Sequence, residues 1–107
     1  MSAADALRAY REEKLNCAQS ILRGFQKKYG LTEEQITEAK KYGGGRAEGG
    51  LCGALYAALL MADDAKKKQL RERFLAEAGA DRCREIRAAG KLTCGGCVEL
   101  AAKILDE

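Results

Sequence analysis

The chain has 107 residues, a net charge of +3 and no proline, tryptophan or histidine. A chain of this length builds one hydrophobic core and has no room for a second. The missing histidine excludes mixed Cys/His zinc sites and Cys-His catalytic pairs, and the small, sign-interleaved charge gives no reason to invoke nucleic acid.

Alanine, leucine, lysine, arginine and glutamate are abundant, which favours helices over strands. The expected fold class is all-α: one domain over residues 1–107, a bundle of about five to six helices with a glycine-rich loop before a buried central helix. No apolar run reaches the roughly 18 residues of a membrane span. The first twenty residues carry Asp5, Arg8, Arg11, Glu12, Glu13 and Lys14 where a signal peptide would have an apolar core. A soluble, cytoplasmic protein is therefore expected.

Ser2 can cap a first helix, and Leu7, Tyr10, Leu15, Ala18, Leu22, Phe25 and Tyr29 follow mostly at three- and four-residue spacing. The pattern predicts one long amphipathic helix ending at Gly30, with Cys17 in its middle beside Ile21. Read alone, Cys17 is a core residue, because a buried cysteine behaves as a small hydrophobe. Thr32 and Gln35 form a capping-box pair, and Glu33 and Glu34 suit the positive end of a helix that should run to about Tyr42.

The loop over residues 43–50 matches neither the dinucleotide-binding nor the P-loop glycine pattern, and no strand precedes it. It is either a connector or an ordered loop covering a site. From Leu51 to Ala62 the sequence is apolar on all sides, as in a buried central helix. There Gly53 and Ala57 form a small pair that lets a neighbouring helix approach closely. The same helix could serve a homodimer interface.

Asp63 or Asp64 caps the next helix, whose apolar positions are Leu70, Phe74 and Leu75 and which ends at Gly79. Its basic run, Lys66 to Lys68 with Arg71 and Arg73, is broken by Glu72 and Glu77. It lacks aromatics for base stacking and reads as a solvated face. Asp81 starts a short helix over residues 82–89, stopped by Gly90. Thr93 then precedes Cys94-Gly95-Gly96-Cys97 and a last amphipathic helix carrying Val98, Leu100, Ala101, Ile104 and Leu105.

Five cysteines stand out from this ordinary composition. Without an export signal they suggest a metal site or thiol-disulfide chemistry more than disulfide staples. Cys52, Cys83, Cys94 and Cys97 fall at or near predicted helix N-termini, where unpaired N–H groups and the helix dipole favour thiolates, and thus nucleophiles or metal ligands. The CxxC pair lacks the βαβ context of a thioredoxin motif, a second CxxC for a zinc knuckle, and the histidine of a haem attachment site. Four-thiolate iron-sulfur ligation stays open, although the spacings fit neither ferredoxin pattern.

These residues resemble the C-GCAxxG-C-C family, small proteins assigned redox activity from their cysteine pattern. The resemblance runs from about Asn16 to Leu105. It is carried by Asn16-Cys17-Ala18-Gln19, by Gly43-Gly44-Gly45 and Gly49-Gly50 leading to Cys52-Gly53-Ala54, by Phe74 ahead of Asp81-Arg82-Cys83-Arg84-Glu85, and by Cys97-Val98. It implies a helical domain in which Cys17, Cys52, Cys83 and Cys97 belong to one redox or metal-binding centre, and so a functional role for Cys17. Two departures stand out: the CGAxxG element ends in Ala57, and Cys94 lies outside the four-cysteine pattern as a further ligand, a resolving thiol or an incidental residue.

Three readings follow. In the first, Cys17, Cys52, Cys83, Cys97 and also Cys94 ligate an iron-sulfur cluster or another thiolate-bound metal, iron or zinc, with backbone N–H groups of Gly43, Gly44, Gly45 and Gly53 directed at sulfur; iron would make an electron carrier serving a redox partner protein. In the second, Cys94 and Cys97 act without metal in thiol-disulfide exchange. In the third, the apolar helix makes an interaction module and the cysteines, or a closed zinc site, are structural.

Overall fold

A computed structural model describes residues 2–43 and 46–107. Among these residues the chain forms eight α-helices: α1 (Ser2–Glu12), α2 (Cys17–Gly24), α3 (Gln26–Tyr29), α4 (Glu33–Glu38), α5 (Gly53–Met61), α6 (Asp64–Ala78), α7 (Cys83–Ala89) and α8 (Cys94–Leu105). Three-ten turns at Ala39–Tyr42 and Glu48–Gly50 complete the helical content, and one isolated antiparallel bridge joins Leu51 to Arg82. The all-α expectation holds, while the helix count exceeds the expected five to six.

The excess arises at the N-terminal end. The long first helix expected to reach Gly30 is instead α1, α2 and α3, because the chain leaves α1 at Glu12 and restarts at Asn16. Lys14 takes a left-handed backbone, φ 57°, which redirects the chain. Asn16 then caps α2: its side chain accepts from the Gln19 N–H at 2.9 Å, and the Gln19 side chain accepts from the Asn16 N–H at 3.2 Å. This reciprocal capping box starts a new helix. Cys17 is consequently the first residue of α2 instead of a mid-helix residue.

The other boundaries follow their capping residues. Thr32 and Gln35 form a capping box on α4, Asp63 caps α6 by accepting from Lys66 N–H, and Thr93 caps α8 by accepting from Gly96 N–H. Gly30, Gly79 and Gly90 end α3, α6 and α7 in the left-handed conformation. α7 begins at Cys83 with Arg82 as its cap position, and Asp81 acts through its carbonyl, as described below.

The core lies where α2, α5 and α8 pack on one another, with α1 against α2 and α8, and α6 against α5 and α8. Ile21, Phe25, Leu55, Phe74, Val98 and Ile104 are fully enclosed there. α5 is buried along most of its length, as its all-round apolar sequence requires, with Leu60 left 59% exposed. Leu75, expected in the apolar stripe of α6, is exposed; the row of Leu70, Phe74 and Ala78 faces inward. Two residues of the basic run of α6 turn toward the end of the chain. Lys66 donates to the Ile104 and Glu107 carbonyls, and Arg73 pairs with Glu107. Among the described residues, no helix is long and apolar enough to cross a membrane.

The contact of α2 with α5 depends on a missing side chain. A Cβ on Gly53 would lie 2.6 Å from Cys17 Sγ and 2.8 Å from the Tyr42 carbonyl oxygen. Alanine within a helix is ordinarily favoured over glycine by about 1 kcal/mol. At Gly53 the sign reverses: Gly53→Ala is expected to destabilise the fold by about 1–3 kcal/mol, the usual result of overpacking. Urea unfolding of the two proteins measures the difference, and an unchanged or raised midpoint would contradict the packing described.

Candidate thiol site

All five cysteines lie in the first turn of a helix or at its cap. Cys17 opens α2, Cys52 occupies the cap position of α5, Cys83 opens α7, and Cys94 and Cys97 are the first and fourth residues of α8. Since α2, α5 and α8 pack mutually, and Cys17 touches the start of α5, the positive ends of three helices meet in one region. Like dipole ends repel unless negative charge is placed between them. Thiolates meet that requirement.

Backbone links bring in the fourth helix. The Cys52 N–H donates to the Asp81 carbonyl at 2.8 Å, and the Leu51–Arg82 bridge lies beside it. The segment just before Cys83 is thereby fastened to the segment just before α5. The Asn16 side chain fastens a further layer: Asn16 Nδ2 donates to the Lys40 carbonyl at 2.8 Å, and buried Gln19 donates to the Ile36 carbonyl at 3.2 Å. Gly43 is buried against this cap, and a Cβ there would fall 2.6 Å from Asn16 Nδ2. Gly44 and Gly45, expected with Gly43 and Gly53 to direct N–H groups at sulfur, lie outside the described residues.

At the centre, Cys52 and Cys97 share a side-chain hydrogen bond, and both are buried. The bond divides the pair. Donation from Cys52 holds the Cys97 thiol below its ordinary range, against burial and the neighbouring sulfurs Cys94, Cys17 and Cys83. The same bond, with burial, pushes the Cys52 thiol far up, although the Ala54 and Leu55 N–H groups pull the other way from the helix end. No full capping hydrogen bond forms at Cys52. The pair therefore loses one proton readily and holds the other, as coupled sites do.

The remaining thiols surround this pair. Cys94, one turn before Cys97 on the same face, is half-buried; the Tyr10 hydroxyl and the Arg87 guanidinium both hydrogen-bond it. Burial and the nearby Cys94 sulfur push the Tyr10 phenol up. Burial also raises the Cys83 thiol, and Arg87 opposes that shift. The Tyr10 ring of α1 lies beside Gly95 at the start of α8, where a Cβ would meet it at 3.5 Å, an ordinary contact.

The structure thus brings the five sequence-predicted cysteines to one end of the bundle, with Cys97 in contact with Cys52. Among the described residues, no three Cys, Asp or Glu side chains stand in an arrangement able to hold a metal ion. Sequence reasoning missed Asn16, Tyr10, Asp81 and Arg87 as parts of the site. The Asn16-x-x-Gln19 spacing was a readable capping signal, and Arg87 stands one helical turn after Cys83. Tyr10 and the Asp81 carbonyl act through tertiary contacts that leave no local pattern.

The coupling has a titration signature. Free cysteine titrates near about 8.5, and Cys97 is expected to form its thiolate at lower pH. A depressed pKa in the folded state adds stability at alkaline pH that is lost as pH falls through the folded value. Cys52→Ala removes the donor, so the first thiolate should appear at higher pH and that pH-dependent stability should shrink. Ultraviolet thiolate absorbance against pH measures it; an unchanged first titration in Cys52→Ala would show that the bond does not tune Cys97.

No curated protein and no solved structure matches the chain significantly. The family model described as "Putative redox-active protein (C_GCAxxG_C_C)" matches residues 15–107, from just before the α2 cap to the end of the chain and without α1. The convergence of cysteines on α2, α5, α7 and α8 falls wholly inside that match, and the chain belongs to the C_GCAxxG_C_C family.

Proposed function

We propose that the protein is a thiol-disulfide redox protein whose working couple is Cys52 and Cys97. What supports this reading is the placing of these two buried thiols where the starts of α5 and α8 pack, with Cys97 held toward its thiolate and Cys52 toward its thiol by their interaction. Thiol-disulfide exchange needs both: the thiolate attacks, and the second thiol resolves the mixed disulfide. Starting from the Cys97 thiolate and the Cys52 thiol, oxidation forms one S–S bond between them and releases one proton and two electrons. The electrons reduce the disulfide of a partner to a thiol and a thiolate, the thiol taking up that proton.

This reading moves the second cysteine of the couple from Cys94, expected from the CxxC spacing, to Cys52. Cys94 already has Tyr10 and Arg87 as partners, whereas Cys97 has Cys52. The helix ends favour the reduced couple by stabilising its thiolate, which makes the disulfide the more oxidising form.

The test is thiol counting on protein purified without oxygen or chelator, before and after treatment with a mild disulfide oxidant. Two thiols should disappear and return on reduction, in wild type and in Cys94→Ser alike, and this two-thiol loss should be absent from Cys52→Ser. Stoichiometric thiolate-bound iron or zinc in the purified protein, with retention of the metal by Cys52→Ser excluded, would replace this reading with the metal centre. Reversible loss in Cys52→Ser but not in Cys94→Ser would return the couple to Cys94 and Cys97.

A further inference from the structure

A cleft of about 730 Å³ opens beside α7, lined by Gly49, Gly50, Cys83 and the side chains of Arg82, Arg84, Glu85 and Arg87. Its volume is that of a small-molecule site, which typically measures about 300–1,000 Å³. Three arginines and one glutamate of the segment 82–87 line it. Glu85 lies 3.9 Å from Arg82, an exposed pair of little consequence, so the wall is cationic. Arg82, Arg84 and Arg87 are all exposed and able to meet a ligand. A second cleft of about 660 Å³ adjoins it through Gly49 and Arg82 and adds Lys67 and Arg71 against Asp81.

The wall is joined to the thiol site at two points. Cys83 lines the cleft itself, and Arg87 both lines the cleft and hydrogen-bonds Cys94. Gly49 and Gly50, with φ 70° and 77°, also line the cleft and place no side chain in it. We propose that this cleft binds the couple's substrate, a small disulfide bearing carboxylates, with its carboxylates on Arg82, Arg84 and Arg87 and its sulfur toward Cys83. Arginine suits the role because its fork pairs with carboxylates in two parallel hydrogen bonds.

The substrate assignment rests on the thiol-disulfide reading, and the exchange balances as follows. Cys83 loses its proton beside the Arg87 guanidinium, which opposes the effect of burial, and attacks one substrate sulfur; a Cys83–substrate S–S bond forms, the substrate S–S bond breaks, and one half leaves as thiolate. Cys52, fastened beside the Cys83 segment by its N–H bond to the Asp81 carbonyl, passes its proton to the departing sulfur and displaces the second half as a thiol, which leaves a Cys52–Cys83 disulfide. Cys97 then attacks the Cys52 sulfur, which leaves the Cys52–Cys97 disulfide and a free Cys83.

The recognition step is separable from the redox step. Titration of the full chain with thiodipropionate, a dicarboxylate thioether that cannot exchange, should shift the NMR resonances of residues 82–87. In Arg82→Glu and Arg84→Glu, controlled for helicity by circular dichroism, binding should weaken about tenfold per reversal, and the uncharged diamide should bind at least tenfold more weakly to wild type. Cys52→Ser should bind as wild type does, so loss of the couple leaves this result standing. With reactive probes, dithiodipropionate should form the Cys83 adduct faster than hydroxyethyl disulfide, and cystamine slowest. Equal binding of dicarboxylate and diamide, indifference to both charge reversals, or equal rates for the three disulfides would each overturn the cleft assignment.

Discussion

The close approach at Gly53 is the constraint on which the site depends. With no Cβ on Gly53, the start of α5 comes within contact of Cys17 Sγ and the Tyr42 carbonyl, and the starts of α2 and α5 share one location. α8 packs on both helices and carries Cys97 into the same region. Three helix starts, each positive at this end, then meet in a largely buried region. Sulfur fills it. A thiolate is soft, large and anionic, and it relieves the electrostatic cost of the convergence that packing imposes.

Around that point the molecule uses backbone more than side chain to hold its chemistry. The Cys52 N–H to Asp81 carbonyl bond and the Leu51–Arg82 bridge fasten α7 to α5 across a long stretch of sequence. The Asn16 and Gln19 side chains spend their hydrogen bonds on the α2 cap and on the carbonyls of Lys40 and Ile36. The cysteines are thereby left with one another, with Tyr10 and with Arg87 as partners. Burial strengthens each of these interactions, because the local dielectric is low. The polarity of the Cys52–Cys97 pair follows, with one thiol donating and the other held toward its anion.

Much of the fold was legible where capping chemistry marks a boundary. Thr32 with Gln35, Asp63, Thr93, and the glycines at 30, 79 and 90 each sit where their sequence pattern places them. α5 was legible from its all-round apolar composition. The first helix was misread because apolar spacing runs on through residues 13–16, and the Asn16–Gln19 box competes with it locally and prevails. That misreading hid the position of Cys17, the one cysteine not expected at a helix start. The grouping of the thiols was legible from helix ends and from the family resemblance, but the direct partner of Cys97 was not. Spacing favours Cys94, one turn away, whereas the contact with Cys52 is made between α5 and α8. Tyr10 comes from α1, outside the family match, and its approach to Cys94 is tertiary.

The central claim is that Cys52 and Cys97 exchange electrons as a pair at the meeting point of these helices. The most direct measurement is the set of cysteine Cβ chemical shifts in the reduced protein and after oxidation by a small disulfide. The account predicts that the Cβ resonances of Cys52 and Cys97 move to disulfide positions while those of Cys17, Cys83 and Cys94 keep thiol positions at completion. Movement of Cys94 in place of Cys52, or thiol positions retained by all five, would contradict it.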